Sequence, residues 1–195
     1  VLRTCLELLG RKSGPVLEDF PDDAPSEDAD QEGWTCPVSF AVSVDNMSDE
    51  DLIRQTLEQE ITLLRPWYEE SKQNRSGRTN FGISGKTPEQ IVTYIAHVIV
   101  SKEKSVSPIA DTPAHLAFKH MADDIRYYYM EAAIARPDMR VSDLEIGNWL
   151  WGETSLGKAL VTIRDWSMET EHPGFKALAP TAMVPSHQRH RTMHG

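Results

Sequence analysis

Apolar positions recur at helical spacing over most of this chain, interrupted by one stretch that alternates. Leu2, Leu6 and Leu9 share a side of a short amphipathic helix within residues 1–12, which Gly10 and Gly14-Pro15 end. From Trp34 to Val44 the period becomes two. Trp34, Cys36, Val38, Phe40, Val42 and Val44 alternate with smaller or polar residues, the pattern of a half-buried strand. Pro37 cannot donate to a ladder, so this strand is an edge or is only partly paired. A weaker alternation at Thr79, Phe81 and Ile83 is its internal pairing candidate.

Beyond residue 47 the helical period dominates. Ser48, followed by Glu50 and Asp51, starts a helix that Pro66 breaks or kinks after about Arg65. Thr87-Pro88, with Gln90 three residues after the cap, opens a second helix to about Lys102. Thr112-Pro113 opens a third, to Arg136-Pro137. Ser142 caps a fourth that reads as continuous to Glu169, and Pro173-Gly174 starts a short terminal piece. The expected class is mainly α: an antiparallel bundle of four main helices with an extended N-terminal arm holding one or two short strands. The expected organisation is an arm over 1–47, a helical domain over 48–185 and a basic, histidine-rich tail over 186–195.

Charge changes this picture only locally. The 195 residues carry a net charge of −10, but residues 18–32 alone hold eight carboxylates and no Lys or Arg. That run includes Asp22 and Asp23, and the rest of the chain is close to neutral. Such a segment steers towards a partner or docks; it says little about the body. Net acidity argues against nucleic acid, whose phosphates need clustered Lys and Arg. No run of apolar residues is long enough to span a membrane. No secretion signal is read at the start of the chain. Two cysteines, Cys5 and Cys36, are too few for a disulfide framework and suit reduced thiols in the cytoplasm. In size, acidity and helix content the chain resembles the cytoplasmic chaperones that mature molybdenum oxidoreductases. The likeness is compositional, without their acidic-histidine signature, and assigns no residue.

Candidate chemistry is sparse. Asn80-Phe-Gly-Ile-Ser-Gly-Lys-Thr87 matches a phosphate loop with Asn for its first Gly. A polar lead-in and Pro88 make it instead a Gly-rich turn before a Thr-Pro helix cap. His120, Asp124, Tyr127 and Glu131 lie within about 60° of one another on a helix, at ~100° per residue. The apolar face centres elsewhere, on Phe118, Met121, Ile125, Tyr129 and Ala132, so this polar stripe is expected to be solvated. His120 and Asp124 remain an i,i+4 pair. Glu153 falls inside the apolar stripe of Ile146, Trp149, Leu156, Leu160 and Ile163, and Gly152 and Gly157 beside it would admit a close backbone or ligand. Glu60 is a second half-buried acid, flanked by Ile53 and Trp67. Such acids are either perturbed catalytic groups or partners of an arginine such as Arg65 or Arg126. Tyr127–Tyr129, with Trp149 and Trp151, span more of their helices than one core face covers, which favours a homo-oligomer or bound subunit.

These observations point to a non-catalytic accessory subunit or assembly factor. Its arm would bind a protein partner through Trp34, Cys36, Val38, Phe40 and Val42, with acidic steering from residues such as Asp22 and Asp23. The alternative is an enzyme using Glu153, with Glu60 or His120, for acid–base work between helices. Metal capture by His187, His190 and His194 is a weaker third reading. No motif calls for a cofactor or a resident metal.

Overall fold

The computed structural model describes residues 2–14, 50–102, 106–135, 142–180 and 182–193. The acidic run, the Trp34–Val44 alternation and hence the partner-binding candidates Trp34, Cys36, Val38, Phe40, Val42, Asp22 and Asp23 lie outside these residues. The chain divides into two compact units, Val1–Gly33 and Trp34–Gly195. In the first, α1 (Leu2–Leu8) buries none of its residues.

The second unit is mainly helical, with no strand among the described residues. Its long first helix, α2 (Glu50–Asn74), presents Ile53, Leu57, Glu60, Leu64, Tyr68 and Ser71 to the interior, three or four residues apart. It does not end at Pro66, contrary to the sequence expectation. Pro66 and Thr62, whose carbonyl loses its intrahelical donor, both sit on the solvent face. Burial of Leu64 and Tyr68 on either side holds the axis. A Schellman turn then closes α2. The Gly77 N–H reaches the Lys72 carbonyl at 2.8 Å and the Ser76 N–H reaches that of Gln73 at 3.0 Å.

After an irregular loop, α3 (Pro88–Ser101) starts at Thr87, which forms a full capping box with Gln90. The third long helix, α4 (Ala114–Ala133), buries Phe118, Met121, Ile125, Tyr129 and Ala132, as their common face requires. α2 packs chiefly on α4 and α3. Between them Tyr68 stacks on Tyr128 with ring centroids 4.4 Å apart, and Phe81 closes edge-on at 6.0 Å.

The segment expected to form one helix from Ser142 to Glu169 is two: α5 (Asp143–Glu153), capped by Ser142 with Glu145, and α6 (Ser155–Glu169). Thr154 alone joins them, with extended backbone at φ −88° and ψ 152°. Its hydroxyl donates to the Leu150 carbonyl at 2.7 Å and accepts the Gly157 N–H at 3.0 Å, so one side chain ends one helix and caps the next. The corner is tight: a Cβ on Gly157 would lie 2.1 Å from the Leu150 carbonyl oxygen and 2.8 Å from the Trp151 Cα. Helix propensity alone makes Gly157→Ala stabilising by up to about 1 kcal/mol. Both obstructing atoms are backbone, so overpacking outweighs that gain and a net loss of about 2 kcal/mol is expected in urea unfolding. A neutral or stabilised variant would mean that the two helices do not approach this closely.

A short α7 (Pro173–Leu178) folds onto α6, and a 3-10 helix (Ser186–Arg191) lies on α5. The C-terminal residues are thus part of the body up to Met193, not a solvated tail. Gln188 is buried and donates to Asn148 at 3.0 Å, and the Met193 N–H reaches Asp165 at 3.1 Å. Tyr128, Tyr129, Trp149 and Trp151 are all buried within the one chain. The argument from aromatic placement to an oligomer therefore loses its premise. Only Tyr127 of the group is exposed.

Candidate functional site

Among the described residues four carboxylates lie in the interior of the helical unit, Glu60, Asp124, Glu131 and Asp165, and each takes at least one main-chain N–H from a distant element. Asp124 on α4, 0% exposed, sits under the loop between α2 and α3. Its Oδ1 accepts the N–H groups of Gly82 at 2.9 Å and Ile83 at 3.0 Å. Its Oδ2 accepts the Ser84 N–H at 2.9 Å and the Ser84 hydroxyl at 2.6 Å. Gly82, at φ 132°, adopts a backbone that side chains rarely allow, which lets successive N–H groups converge on one anion. The segment that imitates a phosphate loop in sequence does bind an anion, but the anion is the chain's own carboxylate.

About two turns further along α4, Glu131, 2% exposed, holds the start of the same loop. It accepts from the Asn80 N–H and the Thr79 hydroxyl, each at 2.7 Å, and pairs with the Arg75 guanidinium at 2.6 Å. The Thr79 proton being spent on Glu131, the Tyr68 hydroxyl donates to Thr79 at 3.0 Å. The polar stripe expected to be solvated is thus the seat of the loop. Two of its four members are buried because a segment forty or more residues earlier in sequence lies over them. His120 is half-buried and makes no bond to Asp124, whose oxygens are both engaged.

Glu60 on α2, 2% exposed, meets no arginine among the described residues. It accepts the Ser155 N–H at 2.6 Å, the Leu156 N–H at 3.3 Å and the Tyr129 hydroxyl at 2.8 Å. It therefore supplies a negative charge to the first turn of α6, where unpaired donors and the helix dipole favour one. Burial pushes the Glu60 carboxyl above its usual range, although the bonds from Ser155, Tyr129 and Leu156 pull the other way. The buried Tyr129 hydroxyl is raised well above its ordinary value, first by burial and then by Glu60.

Glu153 is exposed, which corrects the expectation of a buried acid. Its position on the apolar stripe was reckoned through an unbroken helix. The corner at Thr154 resets the phase, so Leu156, Leu160 and Ile163 do not extend the face on which Glu153 lies. Gly157 does admit a close backbone, that of Leu150 and Trp151. Gly152 is covered by the Arg191 guanidinium, 2.9 Å from where a Cβ would stand. Glu153 and Glu60 do not converge, and the acid–base alternative loses the buried Glu153 on which it was built.

Periodicity gave no notice of a buried ion pair, Arg164 with Asp165, at 3.0 Å. Arg164 also donates to the Thr192 hydroxyl at 2.9 Å, so the pair anchors the C-terminal segment. Its only sequence signal is two adjacent charges on a largely apolar helix. Cys5 is exposed and free. Among the described residues no three His, Cys, Asp or Glu side chains converge as metal ligands, and no helix is long and apolar enough to cross a membrane. Comparison with protein-family models, with curated proteins and with solved structures returns no match.

Proposed function

We propose that this chain is a non-catalytic accessory subunit or assembly factor that binds a partner protein through its N-terminal arm, residues 1–47. In this reading the helices from residue 48 onward form an antiparallel bundle that serves as a rigid base. The arm contributes α1, the acidic run and one or two short strands. The observation that carries the reading is α1 itself. Leu2, Leu6 and Leu9 are 82%, 67% and 81% exposed, and a seven-residue helix with nothing buried is too short to be stable on its own. An apolar side so presented is what a partner's groove would cover. The buried carboxylates support the base as a scaffold, since their oxygens are spent on holding main chain in place.

The test is co-purification from the native source with a cross-linking readout. Deleting residues 1–44 should leave the helical circular dichroism of the body intact and abolish capture of the partner. In the full chain, Leu2, Leu6 and Leu9 replaced by Ser, or Trp34→Ala with Phe40→Ala, should each weaken binding by about 2 kcal/mol, the size expected of buried anchors. A partner that remains bound to the truncated chain, cross-linked only to residues beyond 48, would overturn the assignment of the arm.

A further inference from the structure

Two histidines meet where α7 docks on the body. His115 stands in the first turn of α4 and His172 caps α7, with ring centroids 6.0 Å apart. The His172 Nδ1 accepts the Phe175 N–H at 3.4 Å, so that nitrogen is bare and the ring's proton is on Nε2. The His115 ring lies against the backbone of α7: a Cβ on Gly174 would stand 2.2 Å from its Nδ1. That nitrogen is buried and has no hydrogen-bond partner. Phe175, 1% exposed, anchors α7. It packs on both rings, on Phe118 at 5.7 Å and on Trp166 at 5.2 Å.

This contact has no place for a positive charge. A protonated His115 would hold an N–H in the buried position against Gly174, with nothing to accept it, and would face the positive end of α4. A proton on the His172 Nδ1 would turn the acceptor of the Phe175 N–H into a donor and uncap α7. The acids of the packed elements are placed elsewhere. On α4, Asp123 pairs with Lys119; on α6, Asp165 pairs with Arg164, and Glu169 ends the helix; Glu171 lies 3.9 Å from Lys176, and Asp111 precedes α4. Among the described residues none of them forms an ion pair with either ring. We propose that His115 and His172 form an acid-sensitive latch, which keeps α7 docked while both rings are neutral and releases it when His115 takes a second proton. Release uncovers Phe118 and Phe175, apolar surface that the neutral chain hides. Burial, and after it His172, hold the His115 ring below its ordinary pKa. The undocked ring binds its second proton near 6.5, as a free histidine does, and the docked ring resists it. Docking is therefore strongest above that pH and weakens as the pH falls below it.

The test is amide exchange in the full chain at about pH 7.5 and pH 5.5, with protection taken relative to the intrinsic rate at each pH. The Lys176 and Ala179 amides donate to the His172 and Phe175 carbonyls and report on α7. Their protection should fall at least about threefold at the lower pH, up to the roughly tenfold that one histidine supplies a unit below 6.5. Amides in the middle of α6 should keep theirs. His115→Gln should remove most of the fall. His172→Asn supplies a cap acceptor that does not titrate and deletes the opposing ring, so it should narrow the fall. The double variant should show none. An NMR titration of the His115 ring in the unsubstituted chain should have its midpoint below 6.5, a reading that stands whether or not the variants dock. Unchanged protection at the lower pH, an equal fall in α6, a fall that persists in the double variant, or a His115 midpoint at or above 6.5 would each overturn the proposal.

Discussion

Asp124→Ala should cost about 4 kcal/mol, a large part of the 5–15 kcal/mol typical of a whole domain. The alanine leaves the N–H groups of Gly82, Ile83 and Ser84 and the Ser84 hydroxyl facing a cavity, all of them bonded to Asp124 in the native chain. None finds a substitute from its own loop, because the φ of 132° at Gly82 exists to aim them at the carboxylate. Asp124→Asn keeps the shape but brings one carbonyl oxygen and an NH₂ that opposes further donors, so it should recover less than half of the loss. Urea unfolding measures the cost. Amide exchange at residues 82–84 should rise more than exchange in the middle of α6. A loss below about 1 kcal/mol, or exchange that rises uniformly, would show that the carboxylate does not organise the loop.

Glu60→Ala comes next, at about 3 kcal/mol at neutral pH, since it strips the Tyr129 hydroxyl and two N–H groups of α6 of one shared acceptor. This loss should depend on pH in a stated direction. Burial lifts the folded-state pKa of Glu60 above the model value of 4.5, so between 4.5 and the folded value the folded chain holds a proton that the unfolded chain has released. Stability from this group is then greatest below 4.5 and falls as the pH rises through the folded pKa. The alanine variant lacks the group, so the difference between wild type and variant should shrink as the pH is raised from about 4 to 7. Taking the difference cancels the other carboxylates. A gap that widens over the same range would mean that the three hydrogen bonds outweigh burial and the carboxyl is ionised more readily than a free one.

Both predictions turn on how a helical body places its charge. A buried carboxylate without a cation is costly unless several donors surround it. Here the donors are main-chain N–H groups freed by an irregular loop and by a helix start, the two places where a chain leaves them unpaired. Glu60 and Asp124 therefore define where α6 begins and how the 79–86 loop lies. Neither needs a ligand to be explained.

Local chemistry was sufficient to mark the helix starts at Thr87 and Ser142, where capping boxes lie within four residues of sequence. The apolar part of α4's buried face, Phe118, Met121, Ile125, Tyr129 and Ala132, followed equally well from spacing. Glu60, expected to be half-buried, is 2% exposed, because Ile53, Leu57 and Leu64 share its face over an unbroken helix. What spacing could not supply was the phase beyond a break. Thr154 is an ordinary residue in a helical stretch, with only Gly152, Ser155 and Gly157 around it as a cap-and-turn signal, and overlooking it put Glu153 on the wrong face. Pro66 shows the opposite case, a proline inside a continuous helix, since its cost depends on whether the freed carbonyl faces water. The loop of residues 79–86 was legible as rich in N–H donors, but not as bound to Asp124.

The sequence by itself determined that the second unit is mainly helical, where most of its helices start and which apolar residues of α4 are interior. These are matters of 3.6-residue periodicity and short-range capping. Only the tertiary structure decided that Asp124 and Glu131 are buried, that Glu60 caps α6 and that Glu153 is exposed. The burial of Asp124 and Glu131 and the cap at Glu60 depend on contacts between residues forty or more positions apart, and the exposure of Glu153 follows the break in helix phase at Thr154.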